Sequence, residues 1–338
     1  MPVQAEKKNP LIFAIGGAKG GVGKSMVCSN LAIQFAKEGL QVALIDLDFG
    51  AANLHTIFGI SKPKHGWAQY FEDPSQCLRS FFSPTSQEGL SLLAASGFVP
   101  EMADLESSTK KDLIKKIKAL QLDAVFLDLG AGSSKDMVDF FSIADFKLLV
   151  TTSEPTALMN NFEFIKNVLY RSLKRLYKGQ PQLLDLLDCF KNNSKISLQK
   201  LIDEVSKVDV WQAENTQSLC KDLSIFIVFN QIRKMEEAQT SYRLKKVCQK
   251  QLNLDLKYPG FVFFNEDIAA CVQKMLPISL VHPNSITTRI FARMANNLMH
   301  DSQVQSISEK SLLAKAWAHL DQDFKKNKAE GKKRLLSR

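Results

Sequence analysis

The segment GGAKGGVGKS, Gly16 to Ser25, restricts this chain more than any other part of its 338 residues. It follows the apolar run Leu11–Ile15, which reads as a buried strand. It precedes Ser25–Glu38, where Val27, Leu31 and Phe35 recur at helical spacing up to a plausible C-cap at Gly39. Glycines between a strand and a helix let successive backbone N–H groups converge on an anion without Cβ collisions. The helix start adds its positive dipole end. This geometry suits the phosphates of ATP. Lys24 is expected to reach the β- and γ-phosphates, and the Ser25 hydroxyl to ligate Mg²⁺. The candidate nucleotide contacts are Gly17, Ala18, Lys19, Gly20, Gly21, Val22, Gly23, Lys24, Ser25 and Met26. Ala18 stands where the generic phosphate-loop pattern has its first glycine. The retained run KGGVGKS nevertheless has a chance occurrence on the order of 10⁻⁸ per start position.

Two further strands end in acids. Val42–Asp46 leads into LIDLDFGAANLH, with Asp46 and Asp48 alternating at the strand's C-terminal end. Ala124–Leu129 carries Asp128, with Gly130 and Gly132 just beyond. In a parallel sheet those ends face the ligand crevice. A carboxylate there can sit near Mg²⁺ or orient an attacking water, and Asp128 has the Walker B arrangement. Strands are also expected at Leu90–Ala94, Lys147–Thr152, Ile225–Asn230 and Phe261–Phe264, and helices over Lys110–Leu120 and Ser285–His300. Strands separated by helices imply an α/β fold, a doubly wound, mostly parallel sheet flanked by helices. The organisation expected is a leader over 1–10, a P-loop ATPase domain over 11–300, and a tail over 301–338. A helical insertion over 179–222 interrupts the domain.

KGGVGKS, with its additional Lys19, resembles the deviant Walker A motif of the MinD/ParA ATPases. The resemblance covers roughly 10–300 without 179–222. It implies that Lys19 crosses a dimer interface to the other subunit's nucleotide, where added positive charge stabilises phosphoryl transfer. It assigns water positioning to Asp48, a metal or loop-anchoring role to Asp46, and Mg²⁺ to Asp128, and it matches Asn53 to a switch residue. Lys19, Lys24 and Asp48 are thus the candidate catalytic set; Ser25, Asp46 and Asp128 are the candidate metal set. TTSEPTALMNNFEFIK, Thr151 to Lys166, resembles the FlhG (FleN) branch, which serves flagellar placement. Asn230 in VFNQIR matches the adenine-pairing position. In PGFVFFNEDI, Phe263 and Asn265 replace the family's proline and aspartate, and the base is expected to stack on Phe263 or Phe264.

The net charge of +9 is uneven. Lys166, Arg171, Lys174, Arg175 and Lys178 form one basic run, and seven bases against Glu330 follow Phe324. Leu313, Trp317, Leu320 and Phe324 share one face of a helix expected over Ser308–Phe324, a candidate anionic-membrane contact. The reading is an ATP-dependent homodimer with slow, partner-stimulated hydrolysis, acting on flagellar number or placement. The expected location is cytoplasmic, with the tail a candidate for peripheral contact with the membrane's inner face. The alternatives are a ParA-like partition ATPase holding DNA through the basic patches, and a nucleotide-binding scaffold without turnover. The six cysteines form no C-x-x-C pair, which excludes a disulfide framework and iron–sulfur carriers sharing this loop.

Overall fold

A computed structural model describes residues 9–50, 53–95, 105–193 and 195–300. Among them the strands are β1 (Leu11–Gly17), β2 (Val42–Leu47), β3 (Ser83–Pro84), β4 (Leu90–Leu93), β5 (Ala124–Ala131), β6 (Phe146–Thr151), β7 (Ile225–Ile232) and β8 (Leu256–Phe263). They form one sheet in the order β3-β4-β2-β5-β1-β6-β7-β8. Every pairing is parallel except that of β3 with β4. The doubly wound parallel expectation is met. The antiparallel edge strand β3 has two residues, too short to leave a periodic signal.

The helices on one face are α1 (Lys24–Lys37) and α2 (Leu54–Ile57). The opposite face carries α3 (Trp67–Glu72), α4 (Ser107–Lys118), α5 (Lys135–Ser142) and α6 (Pro155–Leu176). Between β6 and β7 the chain adds α7 (Pro181–Asn192), α8 (Leu198–Val208) and α9 (Val210–Asp222) to that opposite face. After β7 come α10 (Met235–Ala238) and α11 (Thr240–Leu252); α12 (Glu266–Gln273), α13 (Ile278–Val281) and α14 (Ile286–Met299) then return to the α1 face. The stretch Ser308–Phe324 and the basic tail lie outside the described residues, as does most of the leader.

Alternation along the strands divides the core. Phe13 and Ile15 of β1 point to the α1 side, Ile12 and Ala14 to the α6 side. Register sets Phe13 opposite Phe126 and Phe146, and the three rings stack with centroids 4.6 Å apart on either side of Phe13. Phe35 of α1 closes on this ladder edge-on, 4.9 Å from Phe13. Rings of this size each contribute roughly 1.5–3 kcal/mol through burial, which fixes α1 over the centre of the sheet. The glycine loop is thereby held above β1.

Part of the basic run is engaged inside the molecule, while Lys174, Arg175 and Lys178 stay exposed. Lys166 is buried, donates to the Lys191 carbonyl at 3.0 Å, and lies over the Phe190 ring. Arg171 grips Asp139 of α5 with two hydrogen bonds of 2.5 Å, and Arg175 joins the same carboxylate. Asp139 is 3% exposed and also pairs with Lys110 of α4. A buried acid of this kind needs several cations around it. Three members of the run therefore serve packing.

Candidate functional site

β1 delivers its end into the crevice, and the loop turns from Gly17 to the start of α1 at Lys24. Gly17 is needed for close approach: a Cβ there would stand 2.9 Å from the Val150 carbonyl oxygen. Gly23 has φ +90° and faces the Asn230 amide, so both strain and space favour glycine. Val22 is buried against the α1-side core and Met26 packs on it, which pins a loop whose Gly20 and Gly21 stay exposed. Asn230 donates to the Val22 carbonyl at 2.8 Å, and Gln231 to the Gly21 carbonyl at 3.1 Å. Gln231 takes φ +60° to do so. It is a site residue that sequence reading missed, because a backbone carbonyl more than 200 positions away leaves no local trace.

Asp46 and Asp128 are register partners across β2 and β5. Alternation turns both toward α1, beneath Lys24 and Ser25. Asp46 is fully buried; its two oxygens accept from the backbone N–H of Asp48 at 3.0 Å and of Leu54 at 3.4 Å. Burial and the neighbouring Asp128 push its pKa well up, against those two bonds. These contacts fit the loop-anchoring half of its expected role. The Asp46 carbonyl also accepts from Trp67 Nε1 at 2.6 Å.

Asp128 is 1% exposed, and its Oδ1 has no hydrogen-bond partner. Burial drives its pKa up to about 7, although the Ser25 hydroxyl bond and the charge of Lys24 pull it down. An orphaned buried carboxylate oxygen beside a hydroxyl is the donor set a hydrated Mg²⁺ shared with phosphates takes. Among the described residues no three or more His, Cys, Asp or Glu converge on one point. Ser25, Asp128 and nucleotide oxygens would thus hold the cation, with Asp46 buttressing them.

Asp48 is half-buried at the end of β2, and a Cβ on Gly130 would meet its Oδ1 at 3.0 Å. The end of β5 is therefore able to lie against Asp48 because residue 130 is glycine. Asn53 is exposed at the start of α2. Lys24 is 7% exposed, with its aliphatic stem against Gly17. Lys19 leaves the loop in the other direction, pairs with Glu154, and bonds to Thr156 Oγ1 at 3.3 Å.

The stacking expectation for Phe263 fails. Its ring is 4% exposed and belongs to the α6-side core, because β8 alternation sends it inward. Phe264 is 39% exposed, and the Arg233 guanidinium lies 3.5 Å from its ring centre. Asn230 Oδ1 is buried without a partner, an acceptor for an amino group.

A phosphate-shaped loop above a parallel sheet, backed by two buried strand-end acids, defines a P-loop nucleotide-binding protein. The model of the CobQ/CobB/MinD/ParA nucleotide binding domain matches residues 13–278, and the chain belongs to that family. It is 24% identical over 306 residues to the flagellum site-determining protein YlxH of Helicobacter pylori, covering 87% of this chain and 83% of that protein. It is 31% identical over 157 residues to the antiactivator FleN of Pseudomonas aeruginosa, covering 46% of this chain and 55% of FleN. The fold is that of the cell division ATPase MinD from Pyrococcus furiosus (TM-score 0.57, 17% identity, 86% of this chain and 98% of that one). It is equally that of a ParA family ATPase from Chlorobium tepidum (TM-score 0.58, 17% identity, 86% and 99%).

Proposed function

We propose that this chain is an ATPase that pairs with a second copy when it holds Mg²⁺ and ATP, hydrolyses ATP slowly under a partner's stimulation, and thereby regulates flagellar number or placement. The observation that carries the reading is the opposed placement of two loop lysines. Lys24 is buried beneath the loop, and Lys19 stands at its outer surface in a pair with Glu154. Lys24 would neutralise the chain's own phosphates. Lys19 would exchange Glu154 for the nucleotide of the second copy, supplying charge where the transition state spreads it. Asp48 would orient the water, and Mg²⁺ on Ser25 and Asp128 would withdraw charge from the β- and γ-phosphates. The flagellar role draws support from what YlxH and FleN are named for.

The test combines phosphate release with sedimentation in Mg²⁺ and ATP or ADP, for wild type, Lys19→Ala and Asp48→Ala. Wild type should associate with ATP alone. Lys19→Ala should lose association and at least tenfold in turnover. Asp48→Ala should associate but not turn over. A wild type that stays monomeric at saturating ATP refutes the reading. Turnover unchanged in Asp48→Ala removes that residue's role.

A further inference from the structure

Phosphate loops present backbone N–H groups to their anion, yet one amide of this loop is withdrawn. The Ala18 N–H donates to Asn161 Oδ1 at 3.0 Å, and Asn161 Nδ2 donates to the Val150 carbonyl at 3.3 Å. Asn161 lies on α6, is 1% exposed, and has both ends of its amide engaged. The same helix holds the next loop residue, since Lys19 reaches Glu154 and Thr156 at the start of α6. Gly17, on the other side, is already pressed toward the Val150 oxygen. The peptide plane entering Ala18 is thus set by α6 and β6 together, one residue before the outward lysine. If that amide were released, the peptide plane could rotate, and the Cα–Cβ direction of Lys19 would turn with it.

We propose that Asn161 is a positioning residue: by holding the Ala18 amide out of the cradle, it sets the direction in which Lys19 leaves the loop, toward a second copy. The inference deepens the function proposed above and rests on it. Asn161 is engaged with the Ala18 N–H and the Val150 carbonyl and is not among the groups expected to hold phosphate or cation, so its removal should spare ATP capture and damage pairing.

The experiment uses the full chain with Asn161→Ala, Asn161→Gln, Lys19→Ala and the Lys19→Ala/Asn161→Ala double variant. Binding of a fluorescent ATP analogue, ATP-dependent sedimentation, kcat and KM are measured for each. For Asn161→Ala the expected result is analogue affinity and KM within about threefold of wild type, with kcat and association at least tenfold lower. The double variant should be no worse than Lys19→Ala alone. Asn161→Gln keeps a neutral amide with both its acceptor for the Ala18 N–H and its donor for the Val150 carbonyl, and should recover at least half of the wild-type kcat. Losses that add to those of Lys19→Ala, or a raised KM at unchanged kcat, overturn the inference. Should Asn161→Ala not fold, Asn161→Gln decides: a tenfold loss of its kcat in a folded protein overturns the inference, and near-wild-type kcat supports it. If Lys19→Ala keeps full association and turnover, the function proposed above and this inference both fall. If only Asn161→Ala keeps them, this inference alone falls.

Discussion

Gly23 and Gly20 occupy one short loop under different constraints. Gly23 sits at φ +90° with the Asn230 amide where a Cβ would go, whereas a Cβ on Gly20 meets nothing within 4 Å. A left-handed backbone costs a residue with a side chain roughly 1–2 kcal/mol. Gly23→Ala should therefore lower stability by about 2 kcal/mol and weaken ATP binding. Gly20→Ala should stay within about 0.5 kcal/mol of wild type, which is ordinary for a substitution free of packing. Thermal unfolding of the two variants side by side checks the contrast. Asp139 gives a second prediction. Burial would raise its pKa, but the hydrogen bonds from Arg171 and Lys110 outweigh burial and hold the carboxyl below its usual range. Asp139→Ala leaves those cations without their acid and should cost about 3 kcal/mol at pH 7. A depressed acid stabilises the fold above its unfolded value of about 3.9, and this contribution fades as pH falls through the folded value. The stability gap between wild type and Asp139→Asn should therefore be full at pH 7 and close progressively below about pH 4 in urea titrations.

Among the elements, β1 and α6 organise the site. β1 is the strand between β5 and β6, and its Phe13 is the middle ring of the three-ring stack. Phe13→Ala should destabilise by about 4 kcal/mol, the range for emptying a buried aromatic position. Its urea midpoint should fall with little change in slope. α6 begins with Pro155 at its first turn and runs 22 residues. Near its start it touches the loop through Glu154, Thr156 and Asn161; farther along, it joins α5 through Arg171 and Arg175. The start of the helix was legible from Pro155. Its contacts with the loop were not, because Ala18 and Asn161 lie 143 positions apart.

At the level of the whole molecule, α7, α8 and α9 bury Leu187, Phe190, Leu198 and Val205 in the same core as Leu173 of α6 and Ile227 of β7. The helices contribute no residue to the loop, yet they cover apolar surface of α6 and α11. Replacing 181–222 by a short flexible linker should give aggregated protein, scored by soluble yield and light scattering. A soluble, ATP-binding deletion would show the layer to be separable. Trp211 is 77% exposed beside Val210 at the α8–α9 corner, so the layer is not apolar-in throughout.

The sequence by itself determined the loop, the acids that end β2 and β5, and the parallel order of the long strands. Those features are local: apolar runs, glycine spacing and period-two alternation are written in consecutive residues. Tertiary structure alone decided that Lys19 rests on Glu154, that Asn161 and Gln231 hold the loop from other strands and helices, and that Phe263 faces the core while Phe264 faces out. It also decided that Arg171 and Arg175 of the basic run belong to Asp139. Each of these depends on which distant backbone group or buried charge a side chain meets once the sheet has closed, and a linear pattern carries no record of that meeting.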